Sequence, residues 1–379
     1  QGEHDAIGTF TFTPDGKNLV YLAKDGDKLF AVSNGQALTA YDGVGDLTLS
    51  KDGQHLAYIA VKGGKQFMVV DGQPGPEHDG IDKTGAVFSD DGKRIAYIAV
   101  DQQKEAIVVD GQPQAPHDAI SAVGFSRDAK HLVYAARDGK KWRAVLDGQM
   151  QGEYDGLGTL LFSPDGTRLI YTAAKGVKVL VVVDGQEQIP CDIIGGLIFS
   201  ADGQHVAYMG KDGAQSFVMK DGQLLAQYAG VADNSLVFSP DGNRIAYVAA
   251  KEGKWCAVVD GQPTESDGVL GNNILFSPDS KRVAYGEQRG TQWFVEADGK
   301  EQGPFDGLGA NTIRFSPDSV HLAFAANTGG KWELVVDGKP METCDGFGQG
   351  GPSFHADGTL ECLAFRDGVI YRVQYNPSK

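Results

Sequence analysis

Short apolar runs alternate with glycine-containing turns along the whole chain. Between Thr159 and Ile193 the run TLLFS is followed by a PDG turn, the alternating run TRLIYTAA, a KG turn, the run VKVLVVV, a DGQ turn and the run IPCDI. Runs of this kind bounded by Asp-Gly predict strands joined by tight hairpins. No window combines a 3.6-residue apolar period with helix caps. The pattern therefore predicts four antiparallel strands and no helix in each such segment.

The same segment recurs ten times. Each copy is marked by the aromatic residue or Leu of an FSPDG-like motif, and successive markers are 37 to 39 residues apart. The markers are Phe12, Leu49, Phe88, Phe125, Phe162, Phe199, Phe238, Phe276, Phe315 and Phe354. Four strands in this length are the size of one propeller blade. We expect an all-β chain whose ten repeats form a single β-propeller domain over residues 1–379.

The two ends of the chain complement each other. The first residues, QGEHDAIGTFTFTPDG, match QGEYDGLGTLLFSPDG at Gln151–Gly166, so the chain begins on a fourth strand. The last repeat, from Phe354, has only three strands. Together they complete one blade, which would close the ring and remove the exposed sheet edge. We expect one ring of ten blades; the alternative is two five-bladed rings with a boundary near Ile189–Gly196.

Charge and composition disfavour several classes of binding partner. A formal charge of −16 disfavours nucleic acid, which needs clusters of Lys and Arg, and it disfavours anionic membrane surfaces. No apolar run approaches the ~20 residues of a membrane helix, so no membrane insertion is expected. Four cysteines lie far apart without a CxxC motif, which neither demands disulfides nor fits a structural zinc site. The chain begins at Gln1 rather than Met and carries no visible signal peptide.

The repeat FSPDGNRIAYVA at Phe238–Ala249 resembles the repeat of TolB-like, or WD-like, β-propellers. The likeness extends over nearly the whole chain and weakens in the last repeat, where FHADGTLECLAF lacks the Tyr. The resemblance implies a binding scaffold of the bacterial envelope that contacts other proteins. It implies no reaction and no cofactor. We therefore expect a periplasmic or secreted monomer, with a cytoplasmic location as the alternative.

Two columns of Asp run through the repeats. The Asp of the PDG turn occurs in all ten, which indicates a structural role in the turn. A second column lies where one repeat crosses to the next, and only Ala229 interrupts it. Its members are Asp5, Asp42, Asp79, Asp118, Asp155, Asp192, Asp267, Asp306 and Asp345. They either cap their own turns or form a negative ring that binds a cationic partner or a divalent cation such as calcium.

Histidines fall into two sets. His55, His131, His205 and His321 share a column with four arginines, which indicates a polar position rather than a ligand. His4, His78 and His117 precede a crossing Asp where other repeats have Tyr, Phe or Cys, which favours packing between repeats. A His–Asp metal site is the alternative for this second set.

Departures from the repeat are the better candidates for specific binding. Trp255, Trp293 and Trp332 lie at the start of the third strand in consecutive repeats, and Trp142 has the same position earlier. Aromatic groups of this kind either form a contact surface or pack against the next repeat. Six further departures lie in or beside the same repeats: Glu287, Arg289 and Glu296 in one, Arg314 in the next, and Asp233 and Asn234 where the Asp column fails.

No P-loop, HExxH or Rossmann motif occurs. The sequence therefore favours a non-catalytic scaffold for protein or peptide partners, acting through its loop face and channel mouth. The first alternative is a metal-assisted propeller enzyme (a lyase, hydrolase or lactonase) that uses the Asp column with His78 or His117. The second is a glycan-binding propeller.

Overall fold

Strands are the only regular elements in a computed structural model of the chain, which describes residues 3–264, 269–270 and 274–376. The all-β prediction is confirmed for these residues. None of the described residues belongs to a helix that is long and apolar enough to cross a membrane. By contacts the chain divides into two compact units, Gln1–Pro190 and Cys191–Lys379. This division falls in the interval that the two-ring alternative predicts.

The first unit contains five antiparallel sheets in chain order. Sheet 1 consists of β1 (Ala6–Phe12), β2 (Leu19–Asp25), β3 (Lys28–Ser33) and β4 (Gln36–Ala37). Sheet 2 consists of β5 (Gly43–Leu49), β6 (Leu56–Lys62), β7 (Lys65–Val70) and β8 (Gln73–Pro74). Sheet 3 consists of β9 (Gly80–Ile81), β10 (Val87–Phe88), β11 (Ile95–Asp101), β12 (Lys104–Val109) and β13 (Gln112–Pro113). Sheet 4 consists of β14 (Ala119–Phe125), β15 (Leu132–Asp138), β16 (Lys141–Leu146) and β17 (Gln149–Tyr154), and sheet 5 of β18 (Gly156–Phe162), β19 (Leu169–Lys175), β20 (Lys178–Val183) and β21 (Gln186–Glu187).

The second unit also contains five sheets. Sheet 6 consists of β22 (Ile193–Phe199), β23 (Val206–Asp212), β24 (Gln215–Lys220) and β25 (Gln223–Tyr228). Sheet 7 consists of β26 (Gly230–Val231), β27 (Val237–Phe238), β28 (Ile245–Lys251), β29 (Lys254–Val259) and β30 (Gln262–Pro263), and sheet 8 of β31 (Val269–Leu270), β32 (Leu275–Phe276), β33 (Val283–Arg289), β34 (Gln292–Ala297) and β35 (Lys300–Phe305). Sheet 9 consists of β36 (Gly307–Leu308), β37 (Arg314–Phe315), β38 (Leu322–Thr328), β39 (Lys331–Val336) and β40 (Lys339–Cys344). Sheet 10 consists of β41 (Gly346–Phe347), β42 (Ser353–Phe354), β43 (Leu360–Arg366) and β44 (Val369–Tyr375).

The difference between long and short repeats lies in the first strand of each sheet. Where the marker follows its predecessor by 37 residues, the first strand is continuous apart from a bulge, as in β18. Where the spacing is 38 or 39 residues, the first strand is split into two pieces that pair with the same second strand, as β36 and β37 do with β38. Sheets 3, 7, 8, 9 and 10 have the split form. One or two additional residues therefore accompany a turn inside the first strand.

Within each unit, apolar side chains join consecutive sheets into a core. Between sheets 4 and 5, Val133 and Ala144 pack with Tyr171 and Val182, all of which are buried. Between sheets 9 and 10, Leu334 packs with Leu360 and Cys362. The alternation of the second strand sends its side chains to the sheet before and the sheet after. This explains why these strands are apolar on both faces.

A buried Ser, or Thr13 in sheet 1, holds the first hairpin together at nine of the ten PDG turns, and sheet 10 has His355 at this position. In sheet 7, the Ser239 hydroxyl donates to Asp241 Oδ1 (2.5 Å) and accepts from the Arg244 N–H (2.9 Å). The same carboxylate accepts from the Asn243 N–H (3.1 Å). Ser239 is only 1% exposed, so these bonds satisfy a buried hydroxyl. The structural interpretation of the PDG aspartates agrees with this arrangement.

The fourth strand of sheet 5 differs from the prediction. The run IPCDI was expected to be a strand, but β21 ends at Glu187 and Gln188–Pro190 have no regular structure. Pro190 lacks the N–H that a strand would use for pairing.

Among the described residues, β44 pairs with β43 alone. Closure by the N-terminal segment therefore stays a prediction.

Candidate functional site

The crossing aspartates are bound within the fold. Of the nine, Asp267 lies outside the described residues. Each of the other eight accepts a backbone N–H from the hairpin between the second and third strands of the sheet that follows it; the donors are Gly26, Gly63, Gln102, Gly139, Gly176, Gly213, Gly329 and Asp367. Five also accept from a Lys at the start of the preceding third strand: Lys28, Lys65, Lys104, Lys141 and Lys331.

Through these contacts, one carboxylate links two neighbouring sheets. Asp79 bonds to Lys65 Nζ of sheet 2 (2.6 Å) and to the Gln102 N–H of sheet 3 (2.9 Å). The backbone bond and the ammonium group hold the pKa of Asp79 below its usual range. The column is therefore held within the fold, but the aspartates bond to hairpins of the next sheet, whereas the capping interpretation predicts bonds to their own turns. Among the described residues, no three or more His, Cys, Asp or Glu side chains come together in a way that could hold a metal ion.

His4, His78 and His117 bond to second-strand aspartates rather than to the crossing ones. The Nδ1 atoms of His78 and His117 lie 2.6 and 3.0 Å from carboxylate oxygens of Asp101 and Asp138. Both rings are buried against tyrosines of the next sheet, as packing between repeats requires. Nε2 of His78 is buried without a hydrogen-bond partner. No second carboxylate approaches these imidazoles in the described contacts.

The mixed His and Arg column forms ion pairs inside each sheet. His55 Nδ1 lies 2.7 Å from Asp71, and Arg94 Nε lies 3.2 Å from Asp110. The bond to Asp71 raises the pKa of His55. Arg94 also lies over the ring of Phe125 in the next sheet, 5.0 Å from its centroid. The column is therefore structural, and either side chain serves because an imidazole and a guanidinium can both donate a hydrogen bond to the carboxylate.

The tryptophans occupy equivalent positions, each being the second residue of a third strand. Trp255, Trp293 and Trp332 belong to β29, β34 and β39 of the second unit. Trp255 is 37% exposed, and its indole lies so close to Gly230 that a Cβ there would come within 3.2 Å of Cη2. Trp142 contacts Arg137 of its own sheet, whose guanidinium lies 5.8 Å from the indole centroid.

Trp332 lines a cleft of about 540 Å³ between sheets 9 and 10. The cleft walls contain no charged side chain, although the chain as a whole is strongly acidic. Two aromatic groups, Trp332 and Phe347, face glycine-rich turns. The complete lining is Gly309, Ala310, Thr312, Ala325, Trp332, Gly346, Phe347, Gly348, Gln349, Gly350 and Gly351.

The cleft exists because the two split first strands carry different turns. In sheet 9, the Thr312 hydroxyl closes its turn by donating to the Gly309 carbonyl (2.8 Å) and accepting from the Ala325 N–H (3.2 Å). Gly351 has the corresponding place in sheet 10, and a Cβ there would lie 2.6 Å from Thr312. Gly350, at φ +92°, has open space where a side chain would be. Small residues in the sheet 10 turn therefore leave the volume next to Trp332 open.

Glu287, Arg289 and Glu296 come together on sheet 8 as one cluster. Arg289 Nε lies 2.6 Å from Glu287 Oε1, and Arg289 Nη1 lies 2.6 Å from Glu301 Oε2. Glu287 is fully buried, and Glu296 lies 3.9 Å from the same guanidinium. Burial and the two neighbouring glutamates raise the pKa of Glu296, and the bond to Glu287 raises that of Arg289. The charged groups of this cluster are therefore paired with one another.

The remaining predicted residues do not join the cleft. The Arg314 guanidinium donates to the Ile313 carbonyl (2.8 Å). Asp233 and Asn234 form the exposed tip of the turn in the split first strand of sheet 7. Sequence reasoning missed Phe347, Thr312 and Glu301. Four glycines within GFGQGG, Gly346–Gly351, were the available signal for the cleft wall.

Comparisons with known proteins give no family assignment. No family model and no curated protein matches the chain. Similar solved structures include a eukaryotic initiation factor (14% identity over 90% of this chain and 88% of that one, TM-score 0.38). Others are the β-propeller domain of the Trilobed protease from Pyrococcus furiosus (14%, 79% and 94%, 0.29) and TolB from Acinetobacter baumannii (17%, 68% and 78%, 0.26). Superpositions with such TM-scores establish neither fold family nor function.

Proposed function

We propose that the protein is a non-catalytic propeller scaffold that binds a protein or peptide partner at the cleft beside Trp332. The ten consecutive antiparallel sheets, packed face to face within each unit, support the propeller. One ring of ten blades is the proposed arrangement. Electron microscopy of the purified chain is expected to show ten blades around one axis; two five-bladed rings would contradict this arrangement.

The observation that carries the binding proposal is the uncharged cleft with its two aromatic groups. An indole beside glycine-rich turns offers an apolar face next to backbone that few side chains cover. Such sites take an apolar or proline side chain of an extended peptide. The formal charge of −16 would attract basic residues on either side of that segment. The proposed ligand is therefore an extended peptide with an apolar anchor and basic flanks.

Selection from a displayed peptide library on the immobilised full chain tests this directly. The selected peptides are expected to share an apolar or proline anchor. In fluorescence polarisation, Trp332→Ala should weaken binding of the best peptide about 10-fold or more, because truncating an aromatic anchor costs ~2 kcal/mol or more of binding free energy. Trp142→Ala is the matched control, since Trp142 has the same strand position outside the cleft; its Kd should stay within about twofold.

A second variant fills the cleft instead of emptying it. Ala310 is exposed on the rim, so Ala310→Trp should fold normally and still block the peptide. Replacing Trp255, Trp293 and Trp332 together by Ser should weaken binding no more than Trp332 alone if the cleft is the whole site. Equal affinity of wild type and Trp332→Ala for a selected peptide would contradict the proposal. Binding to a glycan array that depends on Trp332 would favour the glycan alternative.

The cation ring and the metal-assisted enzyme receive no support from the described contacts, and both stay predictions. We also propose that the protein is located in the periplasm or outside the cell. A melting temperature that rises with calcium and falls with a chelator would reopen the question of the cation ring.

A further inference from the structure

At several interfaces, a cation from one sheet lies on the marker Phe of the next sheet. Arg94, Arg244 and Arg282 place their guanidinium carbons 5.0, 5.0 and 4.9 Å from the ring centroid of that Phe. Each of these arginines also donates from Nη1 to two backbone carbonyls of the adjacent PDG turn. The interfaces therefore share a cation position that consists of one aromatic ring and two carbonyl groups.

Between sheets 6 and 7 a Lys supplies the cation, and the mixed His and Arg column has His205. Lys220 Nζ lies 5.5 Å from the ring centroid of Phe238 and donates to the Asn243 carbonyl (2.8 Å). The His205 ring lies 6.4 Å from the same Phe ring, at an interplanar angle of 32°. A His in the column thus leaves room on the ring for a cation from another position.

Between sheets 4 and 5 neither position has an Arg or a Lys. The column has His131, whose ring lies 6.4 Å from that of Phe162 at an angle of 30°, almost as His205 lies on its own Phe. Leu146 has the place that Lys220 has in sheet 6. A cavity of about 250 Å³ lies beside Leu146 and Phe162. The cavity therefore takes the place of the cation at this interface.

Three oxygen acceptors belong to the residues of this cavity. Gly166 and Thr167 line it at the turn positions whose carbonyls accept from the arginines at other interfaces. Within the described part of the chain, no side-chain donor reaches these two carbonyls. Gln151 also lines the cavity, and its Oε1 is buried without a hydrogen-bond partner, as is that of the equivalent Gln302. A ligand with several N–H donors would satisfy all three acceptors.

The charged residues that line the cavity are already paired. Arg168 Nε lies 2.9 Å from Asp184, and both residues line the cavity. His131 Nδ1 lies 2.6 Å from Asp147. The positive charge of Arg168 is thus offset by its own carboxylate, which limits its repulsion of a second cation.

We propose that the cavity between sheets 4 and 5 binds a guanidinium group. The ligand would lie on Phe162 and donate to the carbonyls of Gly166 and Thr167 and to Gln151 Oε1. Guanidinium is preferred to ammonium because its planar face stacks on an aromatic ring and its donors diverge. The formal charge of −16 raises the concentration of cations near the protein. This site does not depend on the proposed function of the cleft beside Trp332.

Methyl NMR of the full chain, titrated with methylguanidinium, tests the site. The Leu146 methyl signals should shift with a Kd on the order of 1 mM, which suits a ligand of about five non-hydrogen atoms. Val109 is the matched control, because it has the same position at the interface that Arg94 occupies; its signals should stay unchanged. Methylurea, which is neutral and of the same size, should shift neither residue.

Three variants separate this site from weak binding to surface carboxylates. His131→Arg brings the protein's own guanidinium to the ring, so binding should weaken about 10-fold or more and the melting temperature should rise by about 2 °C. Leu146→Lys, followed through the Leu169 methyl groups, should also weaken binding. His55→Arg changes the same column at another interface and should keep the wild-type Kd. Unshifted Leu146 signals in the wild type, or an unchanged Kd in His131→Arg, would overturn the proposal.

Two further ligands identify the source of the guanidinium group. If the site accepts an arginine side chain of a polypeptide, N-acetyl-L-arginine N-methylamide should bind at least as tightly as methylguanidinium. If it accepts the free amino acid, L-arginine should bind more tightly than the amide. Either result supports the guanidinium site, whereas failure of both ligands to shift Leu146 would contradict it.

Discussion

Replacing Arg289 by Met is expected to destabilise the protein by about 3 kcal/mol at pH 8, because it leaves buried Glu287 without its cation. Glu296 and Glu301 lie beside the same guanidinium, so three carboxylates lose their shared counter-charge. Chemical denaturation monitored by tryptophan fluorescence measures the change.

Two further variants distinguish the buried pair from the exposed one. Sheet 2 has Ala60 and Lys62 where sheet 8 has Glu287 and Arg289. The double variant Glu287→Ala, Arg289→Lys should therefore recover most of the lost stability. Glu301→Gln removes only a half-exposed partner and should cost no more than about 1 kcal/mol. A loss in Glu301→Gln as large as that in Arg289→Met would show that burial of Glu287 is not the cause.

Acidification is expected to unfold the protein through its turn aspartates. All ten PDG aspartates have lowered pKa values, mainly because of hydrogen bonds from the turn; in Asp241, bonds from Ser239 and Asn243 lower the pKa to about 2. A folded-state pKa below the unfolded value of 3.8 gives stability that is complete above about pH 4. This stability is lost as pH falls through the folded pKa. The melting temperature should therefore fall steeply between about pH 4 and pH 2.

A single substitution checks the assignment of this effect. Asp241→Asn removes one carboxylate from a turn that Ser239 and Asn243 otherwise bond, so it should lower the melting temperature at pH 7 and reduce its dependence on pH below 4. Asp27→Asn, at an exposed position in a hairpin, is the control and should leave the pH profile unchanged. Identical profiles for wild type and Asp241→Asn would show that other groups control acid unfolding.

Local patterns identified the candidate site only in part. The Trp column was visible because four repeats have Trp where the others have smaller or polar residues, and Glu287, Arg289 and Glu296 stood out because they depart from the equivalent residues of other repeats. The sequence could not show that the Trp residues and the charged residues have different surroundings. Glu287 is buried and bonded to Arg289, whereas Trp332 lines an open cleft. Which departures share a surface depends on the direction of each side chain between sheets, and repeat alignment does not contain that direction.

The sequence by itself determined the repeated unit. Alternating apolar residues, Asp-Gly turns and a constant spacing specify four antiparallel strands, because each of these signals acts within a few residues. The tertiary structure determined which residues meet between neighbouring sheets. It placed the crossing aspartates on backbone amides of the following sheet, paired buried Glu287 with Arg289 and opened the cleft beside Trp332. These outcomes depend on residues from different repeats meeting across an interface, where the size of one side chain determines the space left for another.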